Sequence, residues 1–471
     1  VQFTRDPNKY NNMLIKQSRR SYKFMTDTPT PDNAPETTEP AAASNRTLYS
    51  KPYTHYVLGV LMVVYIFNFV DRQILAILAQ SIKVDLNLSD TQIGALSGIA
   101  FGIFYATLGI PIARLADKYS RVNIITASLG IWSVMTALSG MAGNFWHLLA
   151  ARIGVGIGEA GGSPPSHSLL ADYFPPNERA SALGIYALGI PVGILFGNLA
   201  GGWIDQFFGW RNAFLLVGIP GVILAIVLKM TVKEPPRGHS EGRVFDAKPI
   251  PFKEVLSTMW AFKSFRQISL GAGTQAFVGY GTIAWMPSYL IRAHDMTTGQ
   301  VGTALGLIIG IAGGIGTLSG GFLADKLGAK NLSWYMWIPA FGFLIAVPFS
   351  IGVFTIDNLY VILALYSVPA LLSNLYTGPT FGMTQSLAPL AMRAAASALL
   401  LFIINIIGLV FGPTTVGILS DLFQSIWQMN DVESLRTALL ICSFVYLISF
   451  INYYLAGKHL PGDLARAQAA H

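Results

Sequence analysis

The chain has 471 residues, of which 52% are hydrophobic and only 12% charged, with a formal net charge of +7. Ordinary soluble domains carry about 25% charged residues, so the composition points to a membrane protein. The basic excess lies in an N-terminal tail and in loops on one side of the membrane, a topology signal that excludes a nucleic-acid patch. A single cysteine, Cys442, excludes an intrachain disulfide or a cysteine metal cluster.

Residues 1–50 contain Arg19-Arg20 and a Pro/Thr/Glu-rich run from Thr26 to Pro40, too polar to bury a core, so a disordered cytoplasmic tail is expected. No apolar core follows the early basic residues, and no cleavable leader is expected. From His55 onward twelve apolar segments recur, at approximately 54–80, 90–114, 121–143, 145–171, 178–205, 210–231, 266–291, 298–324, 331–353, 357–386, 393–421 and 433–457. Each is long enough to cross ~30 Å of hydrocarbon as a helix. The expected fold class is an all-α membrane protein of twelve transmembrane helices: a first six-helix bundle over 51–232, a cytoplasmic linker over 233–263, a second bundle over 264–458 and a cytoplasmic tail over 459–471. The linker carries Lys233, Arg237, Arg243, Lys248, Lys253 and Lys263. Arg114, Lys118, Arg121, Arg179, Lys326 and Lys330 fall on the same side, against Lys83, Arg211 and Arg292 on the other, so both termini are expected in the cytoplasm.

Segment 1 carries Asp71-Arg72, and segment 4 carries Arg152 and Glu159. A charge at bilayer depth costs at least ~2.5–3.5 kcal/mol and should face a watery cavity or a partner, so these residues are the first candidates for function. Arg152 and Glu159 are seven apart, about 700° and roughly 10.5 Å along a helix, and project from nearly the same face. Counted from the outer helix ends at 1.5 Å per residue, Asp71 lies about 13 Å deep, Arg152 about 10 Å and Glu159 about 21 Å. Asp71 is therefore expected to pair with Arg152, with Glu159 deeper in the same cavity. Arg72 points about 100° away, toward polar groups or head groups. His147 and His167, near the two ends of segment 4, read as interfacial residues.

The run Gly156-Ile157-Gly158-Glu159-Ala160-Gly161 matches G-x-G-x-x-G, but no strand precedes it, and a dinucleotide site needs a βαβ unit. Its glycines read as small residues that let helices approach closely. No G-x-x-x-x-G-K-S/T loop is present, which argues against an ATP-driven pump. No enzyme activity, cofactor or metal is expected.

The sequence repeats. Ala113-Arg114-Leu115-Ala116-Asp117-Lys118-Tyr119-Ser120-Arg121 recurs 208 positions later as Gly321 to Ala329, with Asp325-Lys326 in place of Asp117-Lys118. Gly201-Gly202-Trp203-Ile204-Asp205 recurs as Gly417 to Asp421, offset by 216. Repeated halves mark transporters that rock one half against the other around a midplane site. The two loop copies resemble the G-x-x-x-D-R/K-x-G-R-R/K motif of the major facilitator superfamily, with Ala113 and Ser120 in place of glycines and Ala329 in place of an arginine. The resemblance implies two pseudo-symmetric six-helix bundles and a cytoplasmic gate built from Arg114, Asp117, Lys118, Arg121, Asp325 and Lys326. Gly184, Gly193, Gly197 and Gly201-Gly202 in segment 5 look like the glycine pattern of some antiporters, with Asn198 where proline is usual; close helix packing accounts for them equally well.

Asn68-Phe69-Val70-Asp71-Arg72, together with Gly156-x-Gly158-Glu159-Ala160 and Leu170-Ala171-Asp172-Tyr173-Phe174, resembles the Spinster family of lipid transporters. Its animal members are associated with sphingosine-1-phosphate and lysophospholipids, with proton coupling proposed for some. The resemblance implies a proton-coupled transporter of a lysolipid or sphingolipid-like amphiphile that works by alternating access; the short loops point to the bacterial inner membrane, and a monomer is expected. Asp71 and Glu159 are then the candidate proton carriers. Arg152, Asp71 and Glu159, with Asn374 and Tyr376 from the polar residues of the second half, are the candidate substrate contacts. The alternatives are a transporter of small organic anions or drugs on the same fold and, further off, a non-transporting receptor.

Overall fold

The computed structural model describes residues 49–237, 251–389 and 392–469. The expected N-terminal tail and linker residues Arg243 and Lys248 lie outside the described residues, and so does the side chain of Asp117. From Tyr49 onward the chain packs as one unit of twelve membrane-crossing helices in two sets of six.

The first six are α1 (Lys51–Leu86), α2 (90–118), α3 (Arg121–Ser139), α4 (145–173), α5 (176–208) and α6 (Trp210–Thr231). The second six are α7 (Lys263–His294), α8 (Thr298–Gly328), α9 (Trp334–Thr355), α10 (Leu359–Leu387), α11 (Arg393–Trp427) and α12 (Asp431–Ala469). Ten of these are long and apolar enough to be spans by composition; α4 is broken into pieces of 15 and 11 residues, and α7 is diluted by polar and charged side chains. A short amphipathic helix, Phe252–Trp260, precedes α7 and buries Val255 and Met259. Helix α12 runs on to Ala469, so residues 459–469 continue the last helix.

The repeat is visible in local structure. Ser89 and Gln92 form a capping box at the start of α2, and Thr297 and Gln300, 208 positions on, form the same box at the start of α8. Helix α2 breaks at Gly98 and α8 passes through a π-turn at Ile308–Ala312; α5 breaks at Leu188 and α11 passes through a π-turn at Asn405–Val410. Helix α4 breaks between Glu159 and Ser163, and its counterpart α10 between Leu372 and Thr377.

Helices α2 and α11 pair across the two halves, as do α5 and α8. A Cβ on Gly417 would strike the Asp90 carbonyl, and one on Gly202 the Thr298 carbonyl, so these positions require glycine for the halves to meet. In segment 5, Gly193, Gly197 and Gly201 press on α1, which supports the packing account of that pattern.

Candidate functional site

The site begins where α4 meets α1 and α2. A Cβ on Gly156 would come within 2.6 Å of the Phe101 carbonyl oxygen and one on Gly158 within 2.6 Å of the Trp132 nitrogen, so these glycines seat α4 against α2 and α3, as expected from their size. That close approach brings Arg152 and Glu159 to α1. Asp71, Arg152 and Glu159 are 1%, 2% and 1% exposed.

Arg152 Nη1 stands 3.8 Å from Asp71 Oδ1, the pairing expected from depth. Asp71 Oδ2 accepts a 2.6 Å hydrogen bond from the Thr136 hydroxyl of α3. Glu159 departs from expectation: its Oε2 accepts from Arg72 Nε at 2.7 Å. Arg72 therefore turns inward to the carboxylate. The physical reason is that α4 unwinds directly after Glu159, which leaves its carboxylate beside the long Arg72 side chain. The two cations sit on aromatic faces, Arg72 4.3 Å from the Tyr105 ring centre and Arg152 5.2 Å from that of Phe101. Asp71 Oδ1, Arg152 Nε and Nη1, and Glu159 Oε1 have no hydrogen-bond partner despite full burial. Buried polar atoms are almost always satisfied, so this four-charge cluster holds bonding capacity in reserve.

A cavity of about 80 Å³ opens beside it between the halves, lined by Phe69, Arg72, Phe101 and Arg152 on one side and Tyr280 and Leu409 on the other. At roughly 10–15 Å³ per water it holds several waters or a small polar head. The second-half residue brought to the charges is thus Tyr280. Asn374 lines a separate cavity of about 50 Å³ inside the second half with Ser373, Tyr366 and Tyr446. Tyr376 packs at 6.3 Å from Phe343 and lines neither cavity.

The gate candidates are distributed as follows. Arg114, Lys118, Asp325 and Lys326 are exposed, and Asp325 accepts from Tyr335 within its own half. Arg121 is buried and bound within the first half by Asp172, Glu234 at 2.7 Å and the Ser168 carbonyl at 3.1 Å. Among the described residues, the hydrogen bonds and ion pairs between halves gather at the opposite end. There Asp90, fully buried, accepts from Arg292 at 2.8 and 2.9 Å, from Lys83 at 2.8 Å and from Ser420 at 2.6 Å. Asp421 accepts from the Asp90 and Thr91 backbone N–H groups at 3.0 and 2.7 Å, and Lys83 also meets Asp431 at 2.7 Å. Among the described residues the molecule is thus bolted at the Asp90 end and has no hydrogen bond or ion pair between halves at the Lys118 end.

The sequence reading missed this bolt and the strap Lys233-Glu234-Pro235-Pro236-Arg237. Glu234 accepts from the Val122 N–H, Arg121 and Ser120, and Arg237 donates to the Ala116 and Tyr119 carbonyls. The available signal was a carboxylate followed by two prolines directly after a span. Partial burial pushes the Glu234 carboxyl up, but the Val122 N–H and the Arg121 guanidinium outweigh it and hold the group below the usual range. Its stabilisation is fully present above the ordinary glutamate value of about 4.3 and is lost as pH falls through the lower folded-state value. Glu234→Gln is expected to cost about 1–2 kcal/mol at pH 7, hydrogen bonds to charge discounted for partial exposure. In thermal unfolding the gap between Glu234→Gln and wild type should close as pH is taken well below 4; a gap constant with pH would contradict the charge-based account.

A family model described as Major Facilitator Superfamily matches residues 61–413. An MFS-type efflux pump of Mycolicibacterium smegmatis is 32% identical over 411 residues, 86% of this chain and 93% of that protein. Protein spinster homolog 1 of Homo sapiens is 26% identical over 443 residues, 88% of this chain and 82% of the relative. Among solved structures, a bacterial homolog to the human lysosomal transporter Spinster, inward-facing and unoccupied, superposes with a TM-score of 0.81 at 32% identity, covering 88% of this chain and 99% of that one.

Proposed function

Because the chain belongs to the Spinster family of the major facilitator superfamily, we propose that it is a proton-coupled secondary transporter moving a lysolipid or sphingolipid-like amphiphile by alternating access. As a member of a family of transporters it is a multi-pass membrane protein that carries small molecules, not an enzyme. The observation that carries the lipid reading is the two-faced cavity: Arg72 and Arg152 on one wall, Tyr280, Ile283 and Leu409 on the other. A forked guanidinium suits a phosphate or carboxylate head group, and the aromatic and aliphatic wall suits the start of an acyl chain. Asp71 and Glu159, each tied to an arginine, are the proposed proton carriers. The Lys118 end is placed in the cytoplasm on the positive-inside rule, with both termini, and the membrane is the bacterial inner membrane. In this orientation Asp117 and its loop close the cytoplasmic side when the Asp90 end opens.

Mass spectrometry of lipids that copurify with the protein tests the cargo directly. Arg152→Ala and Arg72→Ala should each weaken binding of a lysophosphatidylglycerol by at least about tenfold, the worth of one or two charge-assisted hydrogen bonds, while the melting temperature reports whether the fold is kept. Undiminished binding by folded variants would reduce both arginines to structure. A second reading, transport of small organic anions or drugs, is favoured by the relative named as an efflux pump. Uptake of a soluble anion with no copurifying lipid would select it.

A further inference from the structure

Helix α7 has a second face that the transport cycle described so far does not use. At about 100° per residue, Tyr280 and Ala284 project to one side of it and Gly279 and Thr282 to the other, with Ile283 between. The first pair lines the cavity at Arg72 and Arg152, the second pair lines the cavity of about 50 Å³ inside the second half, and Ile283 lines both. Two local features make room for the second cavity. At Gly279 a Cβ would meet only Gln275 Nε2, at 3.4 Å, so this glycine leaves open space where a side chain would intrude. Pro369 of α10, which has no N–H to donate, lines the cavity shortly before that helix breaks after Leu372. The wall is fixed at Phe354, whose carbonyl accepts from Arg436 Nε.

The lining is polar without being charged. Ser350 of α9 and Tyr366 of α10 are 5% and 6% exposed, and their hydroxyls, with that of Thr282, make no hydrogen bond to any described residue. Buried polar atoms are almost always paired, so these three hydroxyls are set to bond what enters the cavity. Asn374 and Ser443 give their donors to carbonyls of their own helices, Ala370 and Leu439, both at 2.8 Å, which leaves their side-chain oxygens as acceptors. None of the described residues lining the cavity is acidic, basic or a histidine, and an ion moved there without a partner would carry a large desolvation cost. The group that fits is uncharged and both donates and accepts hydrogen bonds, which is the property of a hydroxyl. At roughly 10–15 Å³ per water-sized group the cavity takes about three to five of them, the scale of a glycerol unit.

We propose that this cavity is a second subsite that takes a small uncharged polyol group, such as the terminal glycerol of a lipid head group, while the adjoining phosphate stays at Arg72 and Arg152. This rests on the amphiphile reading above and adds the part of the head group that the protein selects. Ile283 is the shared wall, so a head group that occupies both cavities passes over its side chain.

The test is equilibrium binding, to the purified full chain, of lysophosphatidylglycerol and of lysophosphatidylpropanol with the same acyl chain, which matches it in charge and head-group length but has no terminal hydroxyls. Wild type is expected to bind lysophosphatidylglycerol about tenfold more tightly, the worth of one or two neutral hydrogen bonds. Ser350→Ala combined with Tyr366→Phe removes two unpaired hydroxyls and keeps the ring, and should bring lysophosphatidylglycerol to the affinity of lysophosphatidylpropanol. The melting temperature reports whether the fold is kept; if the double variant does not fold, Tyr366→Phe alone carries the comparison, with a loss of about threefold. Equal binding of the two lipids by wild type, or a preference that survives in the folded variant, overturns the subsite, leaves the cavity to water only and lets the lipid reading stand. Glycerol alone separates the sources. If wild type binds neither lipid but binds glycerol, and the variant does not, the cavity is a site for a free polyol and the lipid reading falls; binding of neither lipid and no glycerol overturns both.

Discussion

Asp90→Asn is expected to shift the molecule from the form bolted at the Asp90 end toward the form open at that end by one to two orders of magnitude. Asp90 is fully buried and gathers Arg292, Lys83 and Ser420, while Asp421 ties its backbone to α11. Removing one partner of a buried ion pair typically costs about 3–5 kcal/mol, and every 1.4 kcal/mol is tenfold in an equilibrium. The cost falls on one state only, since the halves must separate at this end for the other to form. Asparagine keeps the shape and some hydrogen bonding, which brings the effect below that range, to about 1.4–2.8 kcal/mol. The exposed pair Arg436–Asp357 is the control: Asp357 is 90% exposed in its side chain, and surface pairs contribute about 0–1 kcal/mol. Cysteines placed at each end read the shift, with the buried Cys442 silent to labelling. Equal labelling of wild type and Asp90→Asn at both ends would show that the bolt does not set the conformational balance.

The helices were legible in the sequence because a lipid environment leaves the backbone few options, and twenty apolar residues in a row have one stable answer. The Asp71–Arg152 pair was legible for a related reason: both lie on the regular outer parts of α1 and α4, where rise per residue converts directly to depth. Glu159, expected deeper in the same cavity as Arg152, is bound to Arg72 and is not among the residues that line the cavity. The break after it ends the regular geometry on which the extrapolation rests, and Arg72 has the reach to take advantage of that. The bolt was hidden in another way. Lys83, Asp90, Arg292 and Asp431 are each a charge near a helix end, indistinguishable alone from solvated loop residues. Only the approach of α2 to α11, which Gly417 permits, turns them into one cluster. Composition does not choose among the second-half polar residues: Tyr280, Asn374 and Tyr376 are similar side chains in similar apolar surroundings, and helix rotation puts Tyr280 at the arginines.

Asp71→Asn is expected to retain amphiphile binding and lose transport driven by a pH gradient, whereas Glu159→Gln loses it in part. Asp71 touches Arg152 at 3.8 Å, a loose contact, and is fixed on its other oxygen by Thr136 at 2.6 Å. It can therefore gain a proton and release Arg152 without giving up its hydrogen bond to Thr136 of α3. Whether it holds that proton depends on how wet the cavity is and how near Arg152 stands, both of which change as the halves rock. A neutral Asp71 frees a guanidinium whose Nε and Nη1 are already without hydrogen-bond partners and can turn to an anionic head group. Glu159 holds Arg72 more tightly, at 2.7 Å, so its protonation releases the second cation and its loss leaves Arg72 unpaired beside Tyr105. Asparagine at position 71 keeps the Thr136 hydrogen bond but cannot ionise, fixing Arg152 in its released condition: binding persists, and the link between proton and cargo is cut. Counterflow of labelled lysophosphatidylglycerol, which needs no gradient, should survive in Asp71→Asn while uptake against a pH gradient falls to the level of empty liposomes. Gradient-driven uptake at the wild-type rate in that variant would move the coupling to Glu159 and Arg72.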